Sequence, residues 1–205
     1  MTLLVDRGAV WTVTLDRPAR ANALSAGLVD DLHDLLDQAV AAQPDALVLR
    51  GNDRHFSAGF DLTGLDEETD ATLAHRFLRI GLLLERLAAA PFPTVAVVEG
   101  AAVGAGADLV THCDHRLVGP SVRLRFPGSA FGVRLGAERR RELGGSVVTG
   151  RPADLPPVLG SAALPHRPAH DPDRALADLA RSVGVPGLHA RLTAYAATTR
   201  TKEPA

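Results

Sequence analysis

The sequence predicts an α/β fold with crossover connections, and three observations predict it. Strand-like and helix-like stretches alternate along the chain, the pattern of strands joined by covering helices. The helical stretches repeat apolar residues every three or four positions, whereas the strands are short apolar or alternating runs rich in β-branched residues. Apolar residues make up 46% of the 205 and aromatic ones only 4%, enough for a sizeable core that aliphatic side chains must fill.

Taken in order, Val10-Trp11-Thr12-Val13-Thr14-Leu15 alternates as a half-buried strand does, and Asp16-Arg17-Pro18 stops it. Ser25 has the chemistry of a helix N-cap, and the helix it opens runs to about residue 42 with Leu28, Leu32, Leu35, Leu36 and Val40 on one face. Ala46-Leu47-Val48-Leu49-Arg50 is a strand, followed by a loop at Phe56-Ser57-Ala58-Gly59-Phe60-Asp61-Leu62. A helix over 71–89 ends at Pro91-Phe92-Pro93. The strand Thr94-Val95-Ala96-Val97-Val98 feeds a glycine-rich turn ending Gly104-Ala105-Gly106, with a short helix over 107–112. Arg116-Leu117-Val118 and Val122-Arg123-Leu124 read as short strands joined by a Gly119-Pro120-Ser121 turn.

Beyond Gly144 the pattern degrades. Pro152, Pro156, Pro157, Pro165, Pro168 and Pro172 mark a linker or irregular loop. Asp171 or Asp173 can cap a helix holding Leu176, Leu179 and Val183, and a last helix over 188–198 follows Pro186-Gly187. Residues 1–145 therefore form the core with both chemically interesting turns, and 146–205 a proline-rich segment with C-terminal helices.

A formal charge of −2 gives no reason to expect nucleic acid or an anionic membrane as partner. Lys202 is the only lysine, so a ligand phosphate must meet arginine or backbone N–H groups. The single cysteine, Cys113, excludes an internal disulfide and fits a reducing compartment. The first residues lack the cationic start and apolar run of a signal peptide, and the best apolar run, 87–98, is broken by Pro91 and Pro93. A cytoplasmic location is the expectation.

Four stretches carry a resemblance. They are Leu15-Asp16-Arg17-Pro18 with Arg20-Ala21-Asn22-Ala23-Leu24, the loop from Phe56 to Leu62, the strand and turn from Pro93 to Gly106, and Cys113-Asp114-His115-Arg116. In this order and spacing the chain resembles the crotonase superfamily, the enoyl-CoA hydratase/isomerase family. The resemblance implies a crotonase-like (ββα) spiral fold, here with a short helical C-terminal region, acting on an acyl-CoA or related thioester. Coenzyme A then enters only as part of the substrate, with no further cofactor and no metal. A homotrimer or dimer of trimers is also implied, through the family's C-terminal helices.

By the same resemblance, the N–H groups of Phe60 and Ala105 hold the thioester oxygen, with Ala58, Gly59, Asp61 and Gly104 shaping the two turns. Backbone N–H groups at glycine-rich turns suit this task because they are already in place when the oxyanion forms. Arg20 stands where the family often has a basic residue for the CoA phosphates; an ordinary surface arginine is the alternative. Of the two glutamates used by the family's hydratases, the first position holds Asp108 and the second Gly128. Water addition calls for two positioned groups, so Asp108 alone makes one-base enoyl shift, decarboxylation or thioester hydrolysis at least as plausible. Asp108 can equally be a first-turn helix cap, and a catalytically degenerate homologue serving as a structural or regulatory subunit is the rival from another class.

The glycines at 100, 104 and 106 also fit short-chain dehydrogenases, but their place in the chain and Thr199 four residues after Tyr195 argue against that. His112, Asp114 and His115 invite a metal reading, yet adjacent residues diverge in direction. Cys113 reads as core and Glu99 as structural or exposed; His75 and Arg76 stand where the resemblance allows polar substrate-facing residues, with solvent exposure the alternative, and Arg139-Arg140-Arg141 is a second cationic cluster that a solvated helix face explains as well.

Overall fold

The computed structural model describes residues 2–144, 148–159 and 170–200. Strands β1 (Leu3–Arg7) and β2 (Val10–Leu15) form an antiparallel hairpin, with Leu3 opposite Leu15. Only Leu3 of β1 is buried, so this edge strand has no alternation by which the sequence could reveal it. Helix α1 (Ala26–Ala42) starts where Ser25 accepts a hydrogen bond from the Leu28 N–H. Its buried face is Leu28, Val29, Leu32, Leu35, Leu36 and Ala39. Val40, expected on that face, is exposed, because Ala39 takes the inward position and the next residue turns about 100° away.

Strand β3 (Ala46–Arg50) runs parallel to β2, and the short β4 (His55–Ser57) lies within the stretch that reads as a loop in the sequence. Helix α2 (Asp70–Ala88) is opened by a Thr69–Thr72 capping box. Then come β5 (Thr94–Val98), β6 (Ala101–Val103), α3 (Ala105–His112), β7 (His115–Val118) and β8 (Leu124–Arg125). The order β1-β2-β3-β5-β7 makes one sheet, parallel apart from the hairpin, and β4-β6-β8 a smaller parallel one.

The two segments around Gly119, expected to be strands joined by a turn, do not pair with each other. β7 stays on the edge of the larger sheet beside β5, while β8 joins β6 in the smaller. The Gly119 N–H is held by the Val98 carbonyl, so the turn carries the chain from one sheet to the other.

The remaining helices are α4 (Ala137–Glu142), α5 (Leu155–Leu159), α6 (Pro172–Val183) and α7 (Leu188–Arg200). Asp171, rather than Asp173, caps α6 by accepting from the Arg174 N–H. Pro165, Pro168 and Lys202 lie outside the described residues. Helix α2 is the central support, with α1, α3, α6 and α7 against it. A Cβ on Gly81 of α2 would stand 2.5 Å from a Leu179 methyl, so glycine is what lets α6 lie so close. The Asp70 carboxylate accepts from the Gly187 and His189 N–H groups, 2.7 Å each, and fixes the start of α7. The C-terminal helices thus pack on their own chain's core. Among the described residues no helix is long and apolar enough to cross a membrane.

Candidate active site

A cavity of about 660 Å³ opens between the start of α3, the Phe126–Leu135 segment and α7. Its walls include Phe60, Phe77, Phe131 and Leu192, with Asp108, Arg125 and Arg140 as charged members. Both predicted turns reach it, through Ala58 and Phe60 on one side and Gly104 and Ala105 on the other.

The first turn is set by a buried polar knot. Asn22, fully buried and in the left-handed region at φ 54°, donates from its amide to the His55 and Phe56 carbonyls. Its side-chain oxygen accepts the Arg17 N–H, and its backbone carbonyl accepts the Ser57 hydroxyl. Ser57 in turn accepts the Gly59 N–H at 3.1 Å. Leu24 grips the turn from outside, donating to the Gly59 carbonyl and accepting from the Asp61 N–H. These bonds use the N–H groups on either side of Phe60, whose own N–H has no partner among the described residues.

The second turn begins at Gly104, φ 54°, and leads directly into α3. Ala105 is the first residue of α3, so its N–H has no carbonyl of the helix to meet and no other partner among the described residues. The turns lie side by side. A Cβ on Gly59, at φ 86°, would stand 2.4 Å from the Val103 carbonyl oxygen and 3.0 Å from the Ala105 nitrogen. A Cβ on Gly106 would strike Ser57 at 2.6 Å. Both glycines are required by this approach of two backbones.

The side chain of Asp61 is otherwise occupied. It pairs with Arg17 at 3.0 Å and accepts the Thr63 N–H, and although burial pushes its pKa up, these partners hold it below the usual carboxylate value. Asp61 therefore offers a ligand backbone rather than carboxylate. Arg76, rather than facing solvent, stacks over the Phe60 ring at 4.2 Å, pairs with Glu68 at 2.6 Å and donates to the Asp61 carbonyl. Phe60 is stacked on Phe77 from the other face, with centroids 4.2 Å apart. His75 is exposed. Arg20 is exposed and lines a second cleft with Asp61, Leu62 and Thr193; Leu62 also lines the main cavity, so the two adjoin.

Asp108 lies one turn into α3, nearly fully buried, and its carboxylate forms an ion pair with Arg140 of α4. The sequence does not disclose that partner, and Arg139-Arg140-Arg141 is not a uniformly solvated face. Three consecutive helical residues point in three directions. Arg139 is buried and donates to the Thr111 carbonyl, Arg140 reaches Asp108, and Arg141 pairs with Glu138 at the surface. Burial raises the Asp108 pKa to about 7, against the opposing charge of Arg140. Gly136 makes the approach possible, since a Cβ there would sit 2.4 Å from the Asp108 Oδ1. The Asp108 carbonyl accepts from His112 Nδ1 at 2.7 Å, and burial lowers the His112 pKa to about 3, so the ring is neutral.

Gly128 lines the cavity, as the family resemblance implies, but a Cβ there would meet the Val133 carbonyl oxygen at 2.7 Å. The backbone itself excludes a side chain at that position. Cys113 is buried core, its thiol pushed up in pKa by burial. Asp114 accepts from the Thr94 N–H and hydroxyl, Arg116 donates to the Cys113 carbonyl, and Glu99 pairs with Arg50 at the surface. In the sequence Asn22 and Ser57 stand out only as members of their motifs. Their part in the knot comes from burial beside distant carbonyls, which no local pattern signals.

The sequence profile of the enoyl-CoA hydratase/isomerase family matches residues 6–140. A Mycobacterium bovis protein named as an enoyl-CoA hydratase is 38% identical over 143 residues, 70% of this chain and 57% of its own. A Bacillus subtilis protein similarly named is 31% identical over 80% of this chain and 65% of its own. The chain thus spans little more than half the length of the first of these relatives. A solved structure from Bordetella parapertussis, named as an enoyl-CoA hydratase/isomerase, superposes with a TM-score of 0.85 and 33% identity, covering 100% of both chains.

Proposed function

The chain belongs to the enoyl-CoA hydratase/isomerase family, and from that premise we propose that it binds an acyl-CoA with the thioester oxygen between the Phe60 and Ala105 N–H groups. The single observation that carries this reading is the pair of N–H groups, without a partner among the described residues, at adjoining turns on the cavity wall. Donors fixed by a buried network need no reorganisation as negative charge develops on that oxygen. In this reading Arg20, which lines the adjoining cleft, meets the phosphates of the coenzyme.

Asp108 is the proton carrier in this reading. For a 3-enoyl thioester, its carboxylate removes a proton from the α-carbon, and the electron pair moves onto the thioester oxygen as an enolate. The same carboxyl then returns the proton to the γ-carbon, leaving the double bond conjugated. The missing room at Gly128 favours such one-base chemistry, or thioester hydrolysis or decarboxylation, over hydration by two carboxylates. Assembly as a homotrimer belongs to the same reading.

Calorimetry with butyryl-CoA tests the binding half, and crotonyl-CoA hydration and 3-hexenoyl-CoA isomerisation by wild type and Asp108→Ala test the chemistry. Binding with isomerisation that the substitution abolishes is the expected result. Binding without turnover of any thioester would instead support the degenerate homologue, for which the charge-paired state of Asp108 speaks. Absence of binding would sink the thioester reading altogether.

A further inference from the structure

We infer that Arg140 is a receptor for a second, negatively charged group on the acyl chain, so that the site takes a short carboxyacyl thioester rather than a plain fatty acyl one. This rests on the acyl-CoA reading above. It begins from the position of a guanidinium beside Phe60, Phe77, Phe126, Phe131 and Val133 in the cavity wall, where the exposed Arg125 is a second cationic lining residue.

Both hydrogen bonds that Arg140 makes among the described residues, to Asp108 and to the Leu135 carbonyl, use the same nitrogen, Nη1. Nε and Nη2 have no partner among the described residues, and 24% of the side chain is exposed. The Phe126 ring lies 4.6 Å from the guanidinium carbon and covers one face of its plane. What remains is the edge of a planar fork, the arrangement that accepts a carboxylate through two parallel bonds.

Charge balance points the same way. Among the described residues the only partner carboxylate of Arg140 is Asp108, which burial brings to a pKa of about 7, so near neutrality its charge is only partly present beside a permanent cation. An incoming carboxylate restores the balance beside Arg140. The distance constrains the ligand as well. Asp108 is three residues along α3 from Ala105, about 4.5 Å of helix rise, so the carboxylate is only a few bonds from the thioester carbonyl.

The test compares malonyl-, succinyl- and glutaryl-CoA with butyryl-CoA by isothermal titration calorimetry at pH 7.5. Wild type is expected to bind at least one carboxylated thioester about tenfold or more tightly than butyryl-CoA, the scale of one charge-assisted contact. Arg140→Gln should erase that preference while retaining butyryl-CoA. Because that variant leaves Asp108 buried without its cation, Asp108→Asn serves as the second: it frees Arg140 of its competitor and should widen the preference. Equal affinities for all four thioesters in wild type, or a preference untouched by Arg140→Gln and Asp108→Asn alike, would overturn the inference and leave thioester binding standing. If butyryl-CoA and the carboxylated thioesters all fail to bind, the thioester reading falls and this inference with it.

Discussion

The two walls of the cavity are held in different ways. On the turn side, Asn22, Ser57, Gly59 and Leu24 fix backbone atoms with buried or part-buried uncharged hydrogen bonds, flanked by the Asp61–Arg17 and Arg76–Glu68 ion pairs. On the other side, a charged pair is carried by the six-residue helix α4, which follows the loop after β8. A network of neutral bonds in a low-dielectric interior is rigid and indifferent to pH, whereas an ion pair responds to protonation and to any competing charge. In the proposed reading, the first, rigid wall serves a task common to every thioester and the second, responsive wall discrimination among acyl groups.

The largest effect should come from joining the two turns wrongly. In Gly59→Ala the new methyl group meets the Val103 carbonyl at 2.4 Å, so the Phe60 and Ala105 N–H groups must separate. Acyl-CoA turnover should fall at least about 100-fold, the scale of losing one oxyanion donor, with circular dichroism near wild type. Asn22→Ala strips hydrogen bonds from buried carbonyls and should cost about 3 kcal/mol in urea unfolding, lowering activity through the first turn. An undiminished midpoint would show that the knot is not what fixes that wall.

On the responsive wall the effects should be smaller and specific. Gly136→Ala places a methyl group against the Asp108 carboxylate, so it should alter the pH profile of turnover more than overall stability, which should drop by about 1–2 kcal/mol. In the wild type, turnover by Asp108 as a base should rise with pH through about 7. Stability runs in the opposite sense. Between its ordinary value of 3.8 and about 7, the folded state keeps a proton that the unfolded chain has lost. That contribution is complete below about 4 and is lost as pH rises through 7. Asp108→Asn should flatten both slopes, and a slope that survives would remove Asp108 as their origin. The smallest change is expected from Tyr195→Phe, which keeps the packing on Phe131 at 4.9 Å and should leave butyryl-CoA affinity within about twofold.

The two walls also differ in how far the sequence discloses them. The turn side is built from contiguous stretches whose residue types have local causes: Gly59 and Gly104 adopt positive φ, Ser25 caps a helix, and β3 and β5 are unbroken apolar runs. Such causes act within a few residues, so most strands and helices are legible in residue order alone, whereas Phe60 and Ala105 are singled out by the family resemblance. The outer strand β1 escapes because it buries one residue, and the three-residue β4 because it overlaps a glycine-containing stretch that reads as a loop.

By itself, then, the sequence determined the α/β succession, the family resemblance and, through it, the positions of Phe60 and Ala105. Tertiary structure alone decided that Arg140 meets Asp108 across 32 residues, that Gly136 leaves room for them, and that α7 of the same chain closes the cavity with Leu192 and Tyr195. The reason is one of range. Dihedral preference and hydrophobic period are written into neighbouring residues, whereas the charge state and partner of a buried carboxylate depend on which distant segment excludes water from it.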